Sequence, residues 1–325
     1  MRTFLWFCFI YHLVAVSLSA FMRGGEWLHV ASSYMGFFRV IEYNVVPVSL
    51  VTLAAIILSR LTKDIRRFRL FLGSVLAFFL VKSGFTMFKA AMPGVSGFWA
   101  DHGLAEIDRV LHFGIDPWEL AHSIAPWLDA GIASAIYLHF WVALAFLFTM
   151  LITVFDQDEV RRNRYLWLNA FAWIGLGNVV AVATLSSGPI YYDALHGGER
   201  FMGLHAALNT VGLQETATGF IQWKLLDHHL AGLSALGTGI SAFPSVHVGV
   251  AAVIACYLWD ARPIPGARVV GIAFLVIIQF LSVWLGWHYA VDGYFSIMAV
   301  LMARAVLLRM PLRRDRYVDS MPQST

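Results

Sequence analysis

Charged residues are scarce in this chain. Lys, Arg, Asp and Glu make up 13% of its 325 residues, whereas 59% are hydrophobic. Soluble domains carry about 25% charged residues. A chain with so little charge cannot cover its surface for water, so the composition predicts a protein that lies in a lipid bilayer. Twelve Trp and eleven Tyr suit the two membrane–water interfaces, where amphipathic rings collect.

Cysteine is also scarce, and several patterns typical of other protein classes are missing. Cys8 and Cys256 both lie in apolar runs, which argues against a disulfide framework and against a cysteine metal site. No basic stripe interleaves with aromatic residues, so nucleic acid is not an expected partner. Neither an internal repeat nor a low-complexity linker is visible. No Gly-x-Ser-x-Gly elbow indicates a serine hydrolase.

Long apolar runs dominate the chain instead. A transmembrane helix needs about 20 mostly apolar residues, and eight runs predict an all-α, polytopic membrane helical bundle. These runs are 4–22, 44–60, 70–92, 130–154, 165–186, 242–259, 268–288 and 291–309. The first run also fits a secretory signal peptide, because Met1-Arg2 precedes it and SLSA ends it. Its length favours a retained span.

Lys and Arg concentrate in loops that fall on one side of the bundle if the eight spans alternate. These loops are RLTKDIRRFR at 60–69, RRNR at 161–164, the turn flanked by Arg262 and Arg268, and RMPLRRDR at 309–316. By the positive-inside rule this side is cytoplasmic, and both termini are cytoplasmic with it.

Two long connections, 94–129 and 187–241, fall on the opposite side. Their amphipathic pieces, such as FIQWKLLDHHLAGL at 220–233, predict interfacial helices and a lid over an outward-facing site. The chain then divides into three parts. Residues 1–69 hold the N-terminal spans and a basic loop, 70–309 form a membrane core, and 310–325 form a cytoplasmic tail.

Ionisable residues at membrane depth are rare and usually functional. The predicted topology places five of them in the outer half of the bundle, namely Lys82, Lys89, His247, His288 and Asp292. The topology rests on the cytoplasmic basic residues and not on these five, so their coincidence independently indicates an outward-facing polar site.

His288 and Asp292 are four residues apart in LGWHYAVDGY at 285–294. This spacing stacks two side chains on one helical face. A carboxylate that accepts the Nδ1 hydrogen leaves Nε2 free, which is the arrangement of a base or nucleophile and its orienting acid. The alternative interpretation is a buried polar pair that helps two helices to pack.

The sixth run opens with AFPSVHVGVAAVI at 242–254. Pro244 is predicted in the first helical turn. Ser245 follows it, either as a simple cap or as part of an anion site made with free N–H groups, and His247 would give a proton to the bound anion. Lys89 brings an ammonium to the same side, although snorkelling to the interface also explains it. Lys82 lies two turns deeper.

Two of these stretches resemble a known family. SAFPSVHVG at 241–249 and GWHYAVDGY at 286–294 are similar to the second and third signature motifs of the type 2 phosphatidic acid phosphatase superfamily. Within it, they look like the branch of the inositol phosphorylceramide synthases. The resemblance covers roughly residues 82–309, with one span and a short turn between the motifs as in the family. It implies a six-helix core.

The resemblance also implies roles. His288 would be the nucleophile that forms a phosphohistidine, and Asp292 would orient it. His247 would protonate the leaving oxygen and then activate water or an alcohol, while Ser245 and nearby N–H groups would hold the phosphoryl oxygens. No metal and no other cofactor is implied, and the sequence offers no convincing carboxylate cluster for a metal.

The chain departs from the family pattern at several positions. Lys82 and Lys89 have the spacing of the first motif's Lys and Arg, which implies that they bind the phosphate, but Lys89 and Ala90 replace Arg-Pro. The Ser-Arg that often begins the third motif is missing, and Val246 replaces the glycine before the second motif's histidine. SSGPIYY at 186–192 resembles an aromatic loop of the branch. It predicts Tyr191 and Tyr192 at the rim of the substrate site, or as interface anchors.

The leading expectation is a membrane enzyme that transfers or hydrolyses the phosphoryl or phosphoalcohol group of a phospholipid or lipid phosphate. The branch resemblance favours head-group transfer over hydrolysis. A transporter with an outward-facing polar site is one alternative, although no inverted repeat supports it. A metal-dependent membrane hydrolase that uses His247, His288 and Asp292 as ligands is the other.

Overall fold

The computed structural model describes residues 1–22, 65–232, 239–261 and 265–310, except for the side chain of Arg66. Every regular element in these ranges is helical, and no strand occurs among them. The predicted all-α helical bundle is therefore confirmed. The predicted span 44–60 lies outside the described residues, so the division into 1–69, 70–309 and 310–325 stays a prediction.

The helices are numbered in chain order. They are α1 (Arg2–Met22), α2 (Ile65–Ala91), α3 (Asp101–Leu111), α4 (Pro117–Ile124), α5 (Ala130–Phe155), α6 (Glu159–Ala183), α7 (Pro189–His196), α8 (Met202–Thr210), α9 (Ala217–Leu230), α10 (Val246–Asp260), α11 (Ala267–Trp284) and α12 (Ala290–Arg309). Among the described residues, six helices are long and apolar enough to cross a membrane, namely α1, α2, α5, α6, α11 and α12. α10 is apolar but has only 15 residues, about 22 Å of helix.

α10 is the central helix of the bundle. Its residues from Val248 to Cys256 are all buried, and it packs against α6, α11 and α12. A helix that is apolar all round has to lie inside, because no face of it suits water. α11 and α12 instead expose apolar side chains such as Val269, Val276 and Met298, which suits contact with lipid.

α1 runs along α2 and is joined to the bundle by polar contacts. Cys8 is fully buried between the helices. The Tyr11 hydroxyl donates to Oδ1 of Asn178 on α6, and Ser19 Oγ donates to the Met87 carbonyl at 3.0 Å. Polar contacts of this kind hold helices together where the surroundings are as apolar as the helices themselves.

Polar contacts distinguish the two ends of the bundle. At the arginine end, Arg161 pairs with Asp156 at 2.6 Å and Arg304 pairs with Asp260 at 2.6 Å. The opposite end, the short-helix end, carries α3, α4, α7, α8 and α9, and its exposed rings include Trp127, Phe220 and Trp223. α9 covers most of the stretch 220–233 that the sequence predicts as an interfacial helix.

Candidate active site

His288 and Asp292 meet at the short-helix end, where α12 begins. Tyr289 is the N-cap residue, and Oδ2 of Asp292 accepts hydrogen bonds from the Tyr289 N–H at 3.1 Å and from His288 Nδ1 at 3.2 Å. The predicted contact between His288 and Asp292 is present. Because α12 begins between the two residues, they do not share one helical face, and Asp292 reaches His288 as a carboxylate that caps the helix start. A carboxylate only accepts, so Nδ1 carries the hydrogen in this contact.

His288 lies in the short connection between α11 and α12 and is buried. Burial and the nearby charge of Lys89 both lower the pKa of His288 below its ordinary value. The imidazole is therefore uncharged at neutral pH.

His247 lies in the first turn of α10, between two aromatic rings of α5. Its ring centroid is 4.5 Å from that of Tyr137 and 3.9 Å from that of Trp141. The Trp141 indole N–H also donates to the His247 carbonyl at 2.9 Å. The ring is thereby held facing His288, with 6.1 Å between the two imidazole centroids.

Ser245 is the N-cap residue of α10. The helix begins at Val246, so Pro244 lies before the cap and not in the first turn as predicted. Ser245 Oγ accepts the Val248 N–H at 3.3 Å, because a serine oxygen satisfies one of the free amides at a helix start. The Ser245 N–H donates to the Asp292 carbonyl at 3.3 Å, which joins the starts of α10 and α12.

A cavity of about 260 Å³ opens beside the two histidines. Lys89, His247 and His288 line it, and the rest of its wall is mainly aromatic and aliphatic. The aromatic members are Phe85, Tyr137, Trp141, Trp173, Tyr191 and Trp287. Parts of α5 and α6 that line the cavity are π-helical, over Ala135–Phe140 and Phe171–Val180. Such widened turns are frequent at functional sites.

The two lysines predicted for phosphate binding are separated. Lys89 lines the cavity and its charge reaches both imidazoles. Lys82 is buried against the Trp173 ring, with Phe78 and Phe146 on either side. Its Nζ has no hydrogen-bond partner among the described residues, and it does not line this cavity.

The two tyrosines predicted at the substrate rim also differ. Tyr191 lines the cavity with its ring, and its hydroxyl donates to the Gln222 carbonyl at 3.1 Å. Tyr192 points away and shares a hydrogen bond between its hydroxyl and His102 Nδ1. Both side chains are buried, so neither lies at an exposed interface.

Two acids of α3 lie near the site, although the sequence predicts 94–129 only as an outer connection with interfacial helices. Asp101 accepts hydrogen bonds from the loop 186–188, and Asp108 accepts them from the first turn of α12. Their spacing of seven residues on an amphipathic helix was the available signal. In the described ranges, no group of three or more His, Cys, Asp or Glu side chains is arranged to hold a metal ion.

Comparison with known proteins identifies the family. A family model described as the PAP2 superfamily matches residues 102–306, well over half of the 325-residue chain. The chain belongs to the PAP2 superfamily. Its resemblance to type 2 phosphatidic acid phosphatases is thereby confirmed, and with the six apolar helices it identifies an integral membrane protein. No curated protein and no solved structure gives a significant match.

PAP2 membership supports an enzyme of the phosphatase type that acts on a lipid phosphate in a membrane. The matched region contains six of the eight predicted site residues: Tyr191, Tyr192, Ser245, His247, His288 and Asp292. Lys82 and Lys89 precede it. The match therefore does not distinguish the two lysines of the first motif, and of the two only Lys89 lines the cavity.

Proposed function

We propose that this PAP2 protein is a lipid phosphatase or phosphotransferase that works through a phosphohistidine at His288. The observation that carries the proposal is the pair of imidazoles, His247 and His288, facing each other across a cavity that Lys89 also lines. An attacking atom has to lie about 3–3.5 Å from the phosphorus it attacks, and the acid has to lie within hydrogen-bond distance of the leaving oxygen. The centroid separation of 6.1 Å suits a phosphoryl group between them.

In the first step, His288 Nε2 attacks phosphorus and the bond between phosphorus and the leaving oxygen breaks. The bound anionic phosphate favours protonation of His247, which gives its proton to that oxygen, so the lipid leaves as an alcohol. The ring of His288 becomes positive as the N–P bond forms, and the Asp292 carboxylate at Nδ1 stabilises this charge. Lys89 stabilises the phosphoryl oxygens as a point charge.

In the second step, His247 takes the proton of an incoming water or alcohol, whose oxygen attacks phosphorus. The N–P bond breaks, and the His288 lone pair returns. Water gives a phosphatase, whereas an alcohol gives a phosphotransferase. The resemblance to the inositol phosphorylceramide synthase branch supports transfer of a head group to a lipid alcohol.

Ser245 and Lys82 are the weaker members of the predicted site. Ser245 Oγ is engaged with the amide of Val248, which supports a capping role, although its own hydrogen stays available for donation. Lys82 lies behind the Trp173 ring, so we assign it no contact with phosphate. Tyr191 remains a proposed wall of the substrate site.

The proposed location of the site is the non-cytoplasmic face of the membrane. His247 and His288 lie at the short-helix end, whereas Arg161, Arg304 and Arg309 belong to the arginine end. Basic residues are enriched on the cytoplasmic side of membrane proteins, which supports a cytoplasmic arginine end and a non-cytoplasmic site.

The test is covalent trapping. Purified protein is incubated with a lipid labelled in its phosphate and quenched in alkali, and the label on protein is measured before and after acid treatment. Acid-labile label is expected on wild type, none on His288→Ala, and slow formation or accumulation on His247→Ala. His139→Ala is the control, because His139 lies on α5 but does not line the cavity. Label that persists on His288→Ala rejects the assignment.

The acceptor is tested with the same protein. Adding a lipid alcohol diverts the label from inorganic phosphate into a new lipid if the enzyme is a transferase. Release of inorganic phosphate that no alcohol reduces would instead establish a phosphatase. Full activity in EDTA is expected, because none of these steps uses a metal.

A further inference from the structure

Two buried acids on α3 do not line the cavity, yet Asp108 contacts the backbone just after His288 and Asp101 contacts a loop that packs against the residue just before it. Asp101 is fully buried and Asp108 is 2% exposed. Seven residues, or about two helical turns, separate them, so they lie on one face of α3 about 10 Å apart along its axis. Two desolvated carboxylates on one short helix are expensive unless each is fully hydrogen-bonded.

Asp101 holds the loop 186–188. It accepts the Ser186 hydroxyl at 2.6 Å, the Ser187 N–H at 2.9 Å and hydroxyl at 2.6 Å, and the Gly188 N–H at 3.2 Å. Gly188 has a φ of +84°, and a Cβ on it would lie 2.5 Å from the Trp287 carbonyl oxygen. The loop is therefore seated directly against the residue that precedes His288.

The residues after His288 are held by the same helix. The Tyr289 hydroxyl donates to Asp101 at 3.2 Å. The Ala290 and Val291 N–H groups donate to the two oxygens of Asp108 at 2.8 and 3.0 Å. These are amides of the first turn of α12, which have no partner within their own helix, and a carboxylate also suits the positive end of the helix dipole.

We infer that Asp101 and Asp108 are positioning residues for His288. α3 holds the first turn of α12 directly and holds the residue before His288 through the loop 186–188, and this fixes the direction in which Nε2 points toward phosphorus. The inference rests on the proposed function, in which His288 is the nucleophile. It requires carboxylates, because Asp108 accepts on both oxygens and an amide would turn its NH₂ group toward one of the two N–H donors.

The experiment compares Asp101→Asn and Asp108→Asn with Asp158→Asn. Asp158 is the matched control, because it also accepts two backbone amides at a helix start, Val160 and Arg161 at 3.0 Å each, but at the arginine end. Two quantities are measured on the full chain: the hydrogen-exchange rate of peptides covering 286–293, and kcat with KM for a lipid phosphate.

For Asp108→Asn, exchange over 288–293 is expected to rise about tenfold, and kcat to fall about 10–100-fold with KM within about twofold. Asp101→Asn should act likewise, with faster exchange also over 186–188. Ser186→Ala, which removes one donor to Asp101 outside the cavity and leaves the carboxylate intact, should give a smaller fall in kcat even if Asp101→Asn does not fold. Asp158→Asn should change neither quantity.

Values of kcat for Asp101→Asn and Asp108→Asn that match the control overturn the inference. A lower kcat with unchanged exchange over 286–293 also overturns it, because the carboxylates would then act other than through the backbone. Failure of the proposed function looks different. Wild type would form no phosphohistidine, while the exchange rates would still decide whether α3 holds residues 288–293.

Discussion

The contrast between the two lysines of α2 gives the sharpest test of the proposed site. They are seven residues apart on one helix and have the same charge, but only Lys89 lines the cavity. Lys89→Met removes the ammonium and keeps most of the side-chain volume. If the ammonium stabilises the phosphoryl oxygens in the transition state, its loss costs about 2.7–4 kcal/mol, or about 10²–10³ in kcat.

Lys82→Met is the matched variant, with a different expected result. Lys82 loses cation–π contacts with Trp173, Phe78 and Phe146, worth up to about 2 kcal/mol for a desolvated cation. The same change removes a buried cation that no carboxylate among the described residues pairs with, and an isolated buried charge is costly to keep away from water. The two effects nearly cancel, so thermal stability should be unchanged or higher and kcat within about threefold of wild type.

The assay is kcat and KM on a lipid phosphate in mixed micelles, together with inhibition by inorganic phosphate and a thermal unfolding scan. Lys89→Met should weaken phosphate inhibition, whereas Lys82→Met should leave it unchanged. Equal losses of kcat in the two variants would refute the reasoning, because they would mean that both ammonium groups reach the phosphoryl group.

Three further results are expected. Gly188→Ala should lower kcat at least tenfold, because its Cβ would lie 2.5 Å from the Trp287 carbonyl oxygen. The control is Gly197→Ala, where φ is similar at +76° and a Cβ would have nothing within 4 Å. It should cost only about 1 kcal/mol of stability in a thermal scan. Intact mass spectrometry of the purified protein should find residues 1–22 retained, and a mass lacking the first helix would contradict this. Tyr11→Phe should lower the unfolding temperature, because it leaves the buried Asn178 amide oxygen without its donor, at a cost of about 1–3 kcal/mol. Burial raises the pKa of Asp108 to about 6, so between about pH 6 and 4 the folded chain binds a proton that the unfolded chain does not. Acidification from pH 7 to 5 should therefore stabilise wild type relative to Asp108→Asn. Parallel curves of stability against pH for the two proteins would rule this out.

Most of the spans and the contact between His288 and Asp292 could be predicted from the sequence, because each depends on local information. Apolar length predicts a span, and the His288 and Asp292 pair is set by four residues of chain. The start of α10 was misplaced because Pro244 and Ser245 are both typical of a helix start, and only the bond from Ser245 Oγ to the Val248 amide shows which one caps it.

Other parts of the site depend on residues far apart in the chain and could not be predicted. Hydropathy gives the depth of Lys82 and Lys89, but not the Trp173 ring of α6 that lies over Lys82. Similarly, Asp101 and Asp108 look like ordinary acids of an exposed connection. Their burial follows from contacts with residues 186–188 and 289–291, about 80 to 190 positions later in the chain.

The shortness of α10 has a consequence for the choice of substrate. Its 15 residues span about 22 Å, whereas the hydrocarbon core is about 30 Å thick, so His247 in its first turn is recessed below the membrane surface. A phosphorylated lipid already anchored in the leaflet can bring its phosphate to that depth by lateral diffusion between the helices. A water-soluble phosphate ester has to leave water for a largely aromatic cavity without an apolar tail to offset its desolvation. Under the proposed function, the length of one helix thus favours substrates that carry their own membrane anchor.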